Sequence, residues 1–321
     1  MRHALIRTAG IAASAVVVLW GAATLAFLAF RIIPGDAVSV MLGPQAKVSE
    51  EVKAGVRAEL GLDRPPLEQY ASYVGGLLRG DLGTSYQLRM PVSDVIGRQL
   101  GPTLQLTGLA LLIAILIALA VALLARRGAA RAAVVTGELI VLSSPVFWIG
   151  IVLLAVFAFG LGWFPVAGTR SPATVVLPAL TLALPVSALI GQVLRDGIDE
   201  AERQPFAETA RARGAGPARL VLRHSLRHGA AGALTLTAYL IGSLLGGAVL
   251  VETVFARPGL GRVTLTAIVD RDLPVVAGVI MLSAAVFVVV NVIVELLHPL
   301  IDPRLRAHPA AFEAPAIEER R

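Results

Sequence analysis

Hydrophobic residues in this chain are gathered into six long uncharged runs, and the segments between them carry the charged residues. A helix rises about 1.5 Å per residue, so each run is long enough to cross about 30 Å of hydrocarbon. The pattern therefore predicts an all-α, polytopic membrane protein with six transmembrane helices. The six runs cover residues 9–30, 103–125, 139–161, 174–194, 229–251 and 274–294.

The first run follows Arg2, His3 and Arg7, an arrangement that also precedes the apolar core of a cleavable signal peptide. The uncharged stretch continues to Phe30, which makes it longer than the core of about 7–15 residues in such peptides. We therefore expect an uncleaved helix, with residues 1–30 as the N-terminal tail and first span.

Arginine is distributed unequally between the two sides that six spans define. With the N-terminus inside, sixteen arginines fall in the inner tails and loops, and four fall in the short outer loops. Cytoplasmic loops carry an excess of basic residues, and short loops set the orientation. The predicted topology places both termini in the cytoplasm, including a tail at 299–321.

The segment 31–100 lies outside in this topology and has the pattern of two amphipathic helices. Ser49 is a suitable N-cap before the acidic Glu50, and Gly61 is a suitable stop for the first helix. A second helix is predicted to follow Pro66 and to end near Gly80. The sequence leaves open whether this small helical segment is a structural cover or a binding surface.

The composition agrees with a membrane protein, because 56% of the residues are hydrophobic, 16% are charged and the mean hydropathy is +0.77. These values exclude a soluble enzyme, a disordered chain and a fibre. The formal net charge is +6, and the basic residues behind it lie mainly in the loops and tails predicted to be cytoplasmic. This is the distribution of a protein in a lipid bilayer, so the charge is not taken to indicate binding of nucleic acid. Cysteine is absent from the sequence, so a disulfide and a thiolate site are excluded.

No catalytic residue is predicted, and the chain is not expected to be an enzyme. Lys47 and Lys53 are the only lysines, and neither follows the glycine that a phosphate-binding ATPase loop requires. The six runs contain no ionisable residue, which disfavours a proton-coupled carrier and an intramembrane hydrolase. His224 and His228 lie one helical turn apart without the further ligands of a zinc site, so no metal site is predicted.

The fifth run contains small residues at a spacing that permits close helix packing. Gly242 and Gly246 are four residues apart, and so are Ser243 and Gly247. We expect Gly242, Gly246 and Gly247 to mediate helix packing, including contact with a second membrane-spanning chain. Prolines inside the third and fourth runs predict bent helices. They are Pro145, Pro178 and Pro185.

The segment 195–228, between the fourth and fifth runs, carries the most specific pattern in the chain. A short helix is predicted after Gln204 and is stopped by Gly214, and a second helix is predicted to begin at Pro217 and to run towards the fifth span. Two short helices joined at a glycine form a protruding elbow.

The residues of this elbow resemble the E-A-A-x-x-x-G loop of ABC importer permeases. The matching residues are Glu208, Thr209, Ala210 and Gly214, with threonine in place of the middle alanine. The loop departs from the general pattern again at 224–227, where the sequence resembles the R-H-A-L-R form of one subfamily. That subfamily comprises the B-type membrane subunits of dipeptide, oligopeptide and nickel importers.

Other motifs similar to this subfamily follow in order along the chain. They occupy residues 34–36, 59–63, 79–85, 145–148, 177–180, 252–261 and 302–304. The residues singled out within the external motifs are Gly80, Asp81, Gly83, Ser85, Glu252, Pro258, Gly259 and Gly261. Because the motifs occur together and in order, they make the resemblance specific.

The resemblance implies an ABC type I importer permease fold in a bacterial inner membrane, with a permease core at 101–298. It further implies a second homologous permease subunit, two ATPase subunits and an external solute-binding protein as partners. ATP and Mg²⁺ then belong to the ATPases, and this chain binds no cofactor. Glu208, Thr209, Ala210 and Gly214 then couple this chain to an ATPase.

The resemblance leaves the solute open between short peptides and nickel. Peptides are favoured because the five histidines lie outside the six runs and cysteine is absent, so nickel has few protein ligands. A secondary carrier or channel and a membrane enzyme are the alternatives of another class. Copurification with two ATPases favours an importer subunit, whereas transport without ATP favours a carrier and activity of the isolated chain favours an enzyme.

Overall fold

The long uncharged runs form helices because a backbone in hydrocarbon must satisfy its own hydrogen bonds. A computed structural model describes residues 2–32, 38, 49–59, 63–168 and 171–301, which form helices joined by turns. Five described helices are long and apolar enough to cross a membrane, and a bent helix pair completes a sixth span. The predicted all-α polytopic fold is therefore confirmed.

The described residues contain twelve α-helices, numbered in chain order. They are α1 (Arg2–Ile32), α2 (Glu50–Glu59), α3 (Pro66–Leu78), α4 (Val92–Leu124), α5 (Gly128–Ser143), α6 (Val146–Leu153), α7 (Val176–Arg203), α8 (Pro205–Ala212), α9 (Pro217–Leu220), α10 (Leu226–Val254), α11 (Leu260–Val269) and α12 (Leu273–Ile301). π-Helical turns at Leu154–Gly160 and Val221–Ser225 extend α6 and join α9 to α10.

Helix α7 lies at the centre of the bundle, where it packs against α4 and α10. Alanine recurs every fourth residue on the buried face of α4, so that one small-residue stripe faces α7. The stripe is Ala110, Ala114, Ala118 and Ala122. An added Cβ on Gly191 of α7 lies 3.7 Å from the Cα of Ala118, which shows how near the two backbones are. Small residues thus set the central packing distance.

The predicted third span, 139–161, is not one straight helix. Helices α5 and α6 are bent by 111° at a break formed by Ser144 and Pro145, both with extended ψ angles near 137°. Proline has no N–H to donate and disfavours a helical conformation in the residue before it. The bend predicted at Pro145 is confirmed. Pro178 lies in the first turn of α7 and Pro185 lies in its interior, and α7 is continuous from Val176 to Arg203.

Two helix boundaries differ from the sequence prediction. Helix α4 begins at Val92, so the last nine residues of the segment 31–100 are helical and continuous with the second span. Pro91 precedes the helix and Asp94 lies in its first turn, where a carboxylate favours the helix dipole. Helix α7 continues to Arg203, so the loop 195–228 begins as an extension of the fourth span.

The two amphipathic helices of the segment 31–100 are confirmed as α2 and α3. The Ser49 hydroxyl accepts from the Val52 N–H at 3.4 Å, as expected of an N-cap. The hydroxyls of Tyr70 in α3 and Thr24 in α1 are 2.7 Å apart, and the ring of Tyr70 contacts Phe27. Helix α3 therefore packs against the C-terminal part of α1.

Some of the predicted features lie outside the described residues. They are the motifs at 34–36 and 302–304, Gly61 and the tail after Ile301.

The predicted orientation is testable with single cysteines, since the natural chain has none. Leu78 at the end of α3 is 84% exposed, and Arg213 after α8 is also exposed. We expect Leu78→Cys to react with an impermeant maleimide in intact cells from which the outer membrane barrier has been removed. Arg213→Cys should react only after lysis, and the reverse pattern would overturn the topology.

Candidate functional sites at the two ends of the bundle

The predicted elbow is present at residues 204–220. Gln204 has an extended backbone that separates α8 from α7, and Pro205 opens α8 at a position that needs no N–H partner. Gly214 ends α8 with a φ of +81°, the left-handed conformation that favours glycine. The Ala215 N–H donates to the Ala210 carbonyl at 3.0 Å and the Gly214 N–H to the Arg211 carbonyl at 2.9 Å, which is the Schellman arrangement.

The elbow presents its predicted coupling residues on the surface. Ala207 is fully buried, whereas Glu208 and Thr209 are exposed and Ala210 is half-buried. Arg211 lies three residues after Glu208 in α8, but its guanidinium donates to the Glu202 carbonyl at 3.2 Å and not to Glu208. In the described part of the chain Glu208 has no ion-pair partner, so its carboxylate is available to another molecule.

The base of the elbow is formed by a close approach of α7 and α10. A Cβ added to Gly197 would lie 2.5 Å from the Cα of Gly229, a distance that no real side chain tolerates. Beside this contact, the rings of Phe206 in α8 and His228 in α10 stack with centroids 5.0 Å apart. The elbow is thus fixed to both helices that flank it.

Three ion pairs connect the end of α7 to α5 and to the turn before it. Arg195 is 5% exposed and donates with both terminal nitrogens to Glu138, and its Nη1 lies 2.8 Å from Oε1. Arg131 pairs with Asp199 at 2.7 Å, and Arg126 pairs with Glu202. Removing one partner of a buried pair strands the other charge, so the Arg195 pair resists separation of α5 and α7.

At the opposite end of the bundle, Glu252 of α10 caps the N-terminus of α11. Its side chain is fully buried, and its Oε2 accepts the N–H groups of Gly261 at 2.8 Å and Arg262 at 3.2 Å. The Thr103 hydroxyl of α4 donates to Glu252 Oε1 at 2.6 Å and accepts the Leu260 N–H at 2.8 Å. One carboxyl group thereby joins α4, α10 and α11 and satisfies N–H groups that a helix start leaves free.

The glycines of the motif 252–261 leave room for this cap. A Cβ on Gly259 would lie 2.1 Å from the Glu252 carboxyl group, and one on Gly261 would lie 2.3 Å from the Cα of Val249. Pro258 lies in the turn that leads into Gly259. The family motif at this position is therefore a packing requirement around one buried acid.

A second buried acid, Asp272, holds the turn at 81–91. It accepts hydrogen bonds from the Ser85 hydroxyl and from the backbone N–H of Tyr86 at 3.0 Å. The turn is shaped by Gly80 and Gly83, with φ angles of +79° and +83°, and by Asp81, which accepts the Gly83 N–H at 2.8 Å. Burial beside Asp272 raises the pKa of the Tyr86 hydroxyl. The segment 31–100 is thus tied to the junction of α11 and α12.

The three glycines predicted for helix packing have different neighbours. A Cβ on Gly247 would lie 3.1 Å from Leu182, and one on Gly242 would lie 3.4 Å from Phe287, so both positions pack within the chain. A Cβ on Gly246 would have no neighbour within 4 Å. Gly246 faces an open apolar cavity of about 600 Å³ between α4, α10, α11 and α12.

Several residues that organise the two ends were not found from the sequence. Gly197 and Gly229 are 32 positions apart, and Thr103 and Glu252 are 149 apart, so no local pattern links either pair. Glu138 and Arg195 are 57 positions apart, so their ion pair has no local signal either. Asp272 does have a local signal, because the adjacent charged residues Arg271 and Asp272 come just before an apolar run.

Comparison with known proteins gives a consistent result. Residues 110–307 match the family model described as "Binding-protein-dependent transport system inner membrane component", and residues 1–107 match a model for the N-terminal part of such membrane components. The chain is 34% identical over 291 residues to a probable peptide ABC transporter permease protein of Sinorhizobium fredii, covering 87% of this chain and 92% of that protein.

Two further relatives have similar scores. The di/tripeptide transport system permease protein DppB of Pseudomonas aeruginosa is 35% identical over 318 residues, with 89% of this chain and 94% of that protein covered. The glutathione transport system permease protein GsiC of Salmonella typhimurium is 34% identical over 293 residues, with 88% and 93% covered. The chain is similar to each of these three proteins over nearly its whole length.

The cap on α11 predicts a stability effect at Glu252. Glu252→Ala leaves the Thr103 hydroxyl and two backbone N–H groups without their acceptor, so we expect a loss of about 2–5 kcal/mol in the free energy of unfolding. Reversible unfolding in mixed detergent measures this loss. Thr253→Ala is the control, because Thr253 is exposed and its hydroxyl bonds only to the Val249 carbonyl of its own helix. Equal stability of the two variants would contradict the capping role.

The open position of Gly246 predicts an effect on assembly and not on the fold of this chain. Gly246 is exposed, and a Cβ added there meets no neighbouring helix of the described chain within 4 Å, so Gly246→Leu should change the stability of this chain little. If a second permease packs here, recovery of the permease pair should fall, because a bulky side chain separates the backbones. Gly247→Leu should instead destabilise this chain against Leu182. Normal recovery of the Gly246→Leu pair would remove this face from the interface.

Proposed function

The chain belongs to the family of binding-protein-dependent transport system inner membrane components, and we propose that it forms half of the membrane pathway of an ATP-driven importer of short peptides. It is a multi-pass inner membrane protein and a transport subunit. The observation that supports coupling to ATP hydrolysis is the elbow, which presents an unpaired Glu208 on a short helix fixed to α7 and α10.

The proposed complex contains a second homologous permease, two ATPase subunits and an external solute-binding protein. The ATPases bind ATP and Mg²⁺, and this chain contributes the elbow that enters a groove on one of them. The proposed solute is a short peptide because the named relatives are peptide, di/tripeptide and glutathione permeases. No observation in this chain favours nickel as the solute.

The elbow transmits motion through its attachment to the bundle. Gly197 and Gly229 hold α7 and α10 in contact, so a force applied to α8 reaches both helices at once. Helix α10 carries Glu252 at its other end, and Glu252 fixes the start of α11. In this mechanism ATP-driven movement of the elbow shifts α11 relative to the turn at 81–91, near the place where the binding protein delivers the peptide.

The coupling role predicts the effects of two substitutions. An exposed ion pair contributes little, so Glu208→Ala should hardly matter if the carboxylate stays in water. A charge buried in an ATPase groove should cost about 2–5 kcal/mol when its partner is left unpaired. Gly214→Val should misdirect the elbow, because a β-branched residue is strained at a φ of +81°.

Both variants should therefore insert normally into the membrane but bind the ATPases at least about tenfold more weakly. Pulldown of the ATPase subunits and ATP turnover of the reconstituted complex measure this. Asp196→Ala is the matched control, since Asp196 is an exposed acid of α7 that lies before the elbow and has no ion pair in the described residues. ATPase binding at the control level for both elbow variants would refute the coupling assignment.

A further inference from the structure

Arg257 is a buried arginine that lacks the carboxylate partner this chain gives to its other buried and half-buried arginines near the bundle ends. Arg195, Arg126 and Arg131 each pair with an acid of a neighbouring helix. Arg257 is 5% exposed and has no ion pair among the described residues. Burying a charged guanidinium without a counter-ion costs free energy of folding. We therefore expect an unpaired arginine at this position to serve a function.

The nearest acid does not neutralise Arg257, because Glu252 uses its oxygens elsewhere. Oε1 accepts from Thr103, and Oε2 accepts from the N–H groups of Gly261 and Arg262. Burial lowers the pKa of the Arg257 guanidinium, and the charge of Glu252 acts on that pKa in the opposite direction. Glu252 therefore moderates the positive potential at Arg257 without forming a pair.

The only side-chain partner of Arg257 in the described structure is the neutral amide of Gln105. Arg257 Nη2 donates to Gln105 Oε1 at 2.8 Å, and Arg257 Nε is buried with no hydrogen-bond partner in the described residues. Gln105 is an exposed residue of α4, so this bond links the buried guanidinium to a side chain on the surface of the chain. A neutral partner satisfies one donor and leaves the charge unmatched.

We propose that Arg257, with Gln105, forms a recognition site for the free carboxylate of the transported solute. The guanidinium presents donors in a planar fork that matches a carboxylate. Nε and Nη2 lie on the same edge of the fork and supply the two parallel donors once Gln105 releases Nη2. The Gln105 amide, freed from Nη2 or turned over, donates to the same carboxylate. This site rests on the proposed peptide-import function and adds to it a requirement for a carboxylate-bearing solute.

The location and the charge balance favour a passing solute over a permanent partner. Arg257 lies in the turn between α10 and α11, at the end of the bundle opposite the elbow, where a binding protein would deliver its peptide. A transport site must bind firmly enough to select and weakly enough to release. The nearby negative charge of Glu252 weakens the attraction between Arg257 and a bound carboxylate, which favours release of a solute. A permanent contact with another subunit does not require release.

The test compares trialanine with its C-terminal amide as solutes for the complete complex in reconstituted vesicles, with the binding protein saturated by each. The wild-type complex should import the free acid at least about tenfold faster than the amide, since hydrogen bonds to charged groups have about this effect. Arg257→Gln should remove the preference by slowing import of the acid alone, and Arg257→Lys should retain part of it. Arg64→Gln, an exposed arginine before α3, is the control and should keep the preference.

Each other outcome overturns the proposal in a recognisable way. Equal import of acid and amide by wild type, or a preference unchanged in Arg257→Gln, shows that Arg257 does not recognise the solute while the import function stands. Loss of the permease pair in Arg257→Gln pulldowns shows instead that an acid of the second subunit is the partner. Absence of peptide import by the wild-type complex removes the proposed function itself.

Discussion

The contact between Gly197 and Gly229 is the constraint on which the rest of the arrangement depends. At this point α7 and α10 approach so closely that neither position has room for a Cβ, because one on Gly197 would lie 2.5 Å from the Cα of Gly229. The two helices are the arms that carry the elbow, and the stacked rings of Phe206 and His228 hold α8 against them. If α7 and α10 were further apart, the elbow would be held only by its chain connections to these helices and not by their packing.

The ends of the bundle use different interactions for the same purpose. Near the elbow, charged pairs such as Arg195 with Glu138 fix α7 to α5, and both partners are available in one chain. At the opposite end, Glu252 receives N–H and hydroxyl donors and no cation, so it fixes α11 without neutralising Arg257. Helix α10 spans both ends, and this continuity gives an event at the elbow a physical route to the turn beside Arg257.

The sequence predicted the parts of this fold that depend on local pattern. Uncharged runs located the spans, Ser49 located a helix start, and Gly214 was placed correctly at a left-handed helix end. The sharp bend in the third span exceeded what Pro145 alone indicates, because a proline bends a helix by an amount that its neighbours decide. The Gly197–Gly229 contact and the cap of Glu252 by Thr103 join distant positions, and a single sequence contains no signal for such pairs.

The most direct test of a rigid link between the elbow and the opposite end is the ratio of ATP hydrolysed to peptide imported in Gly229→Val. A valine at Gly229 must displace α7, since even a Cβ there would lie 2.8 Å from the Leu194 carbonyl oxygen. If the link is rigid, the Gly229→Val complex should retain its ATPase subunits but hydrolyse several times more ATP for each peptide imported. A wild-type ratio in a fully assembled Gly229→Val complex would contradict it.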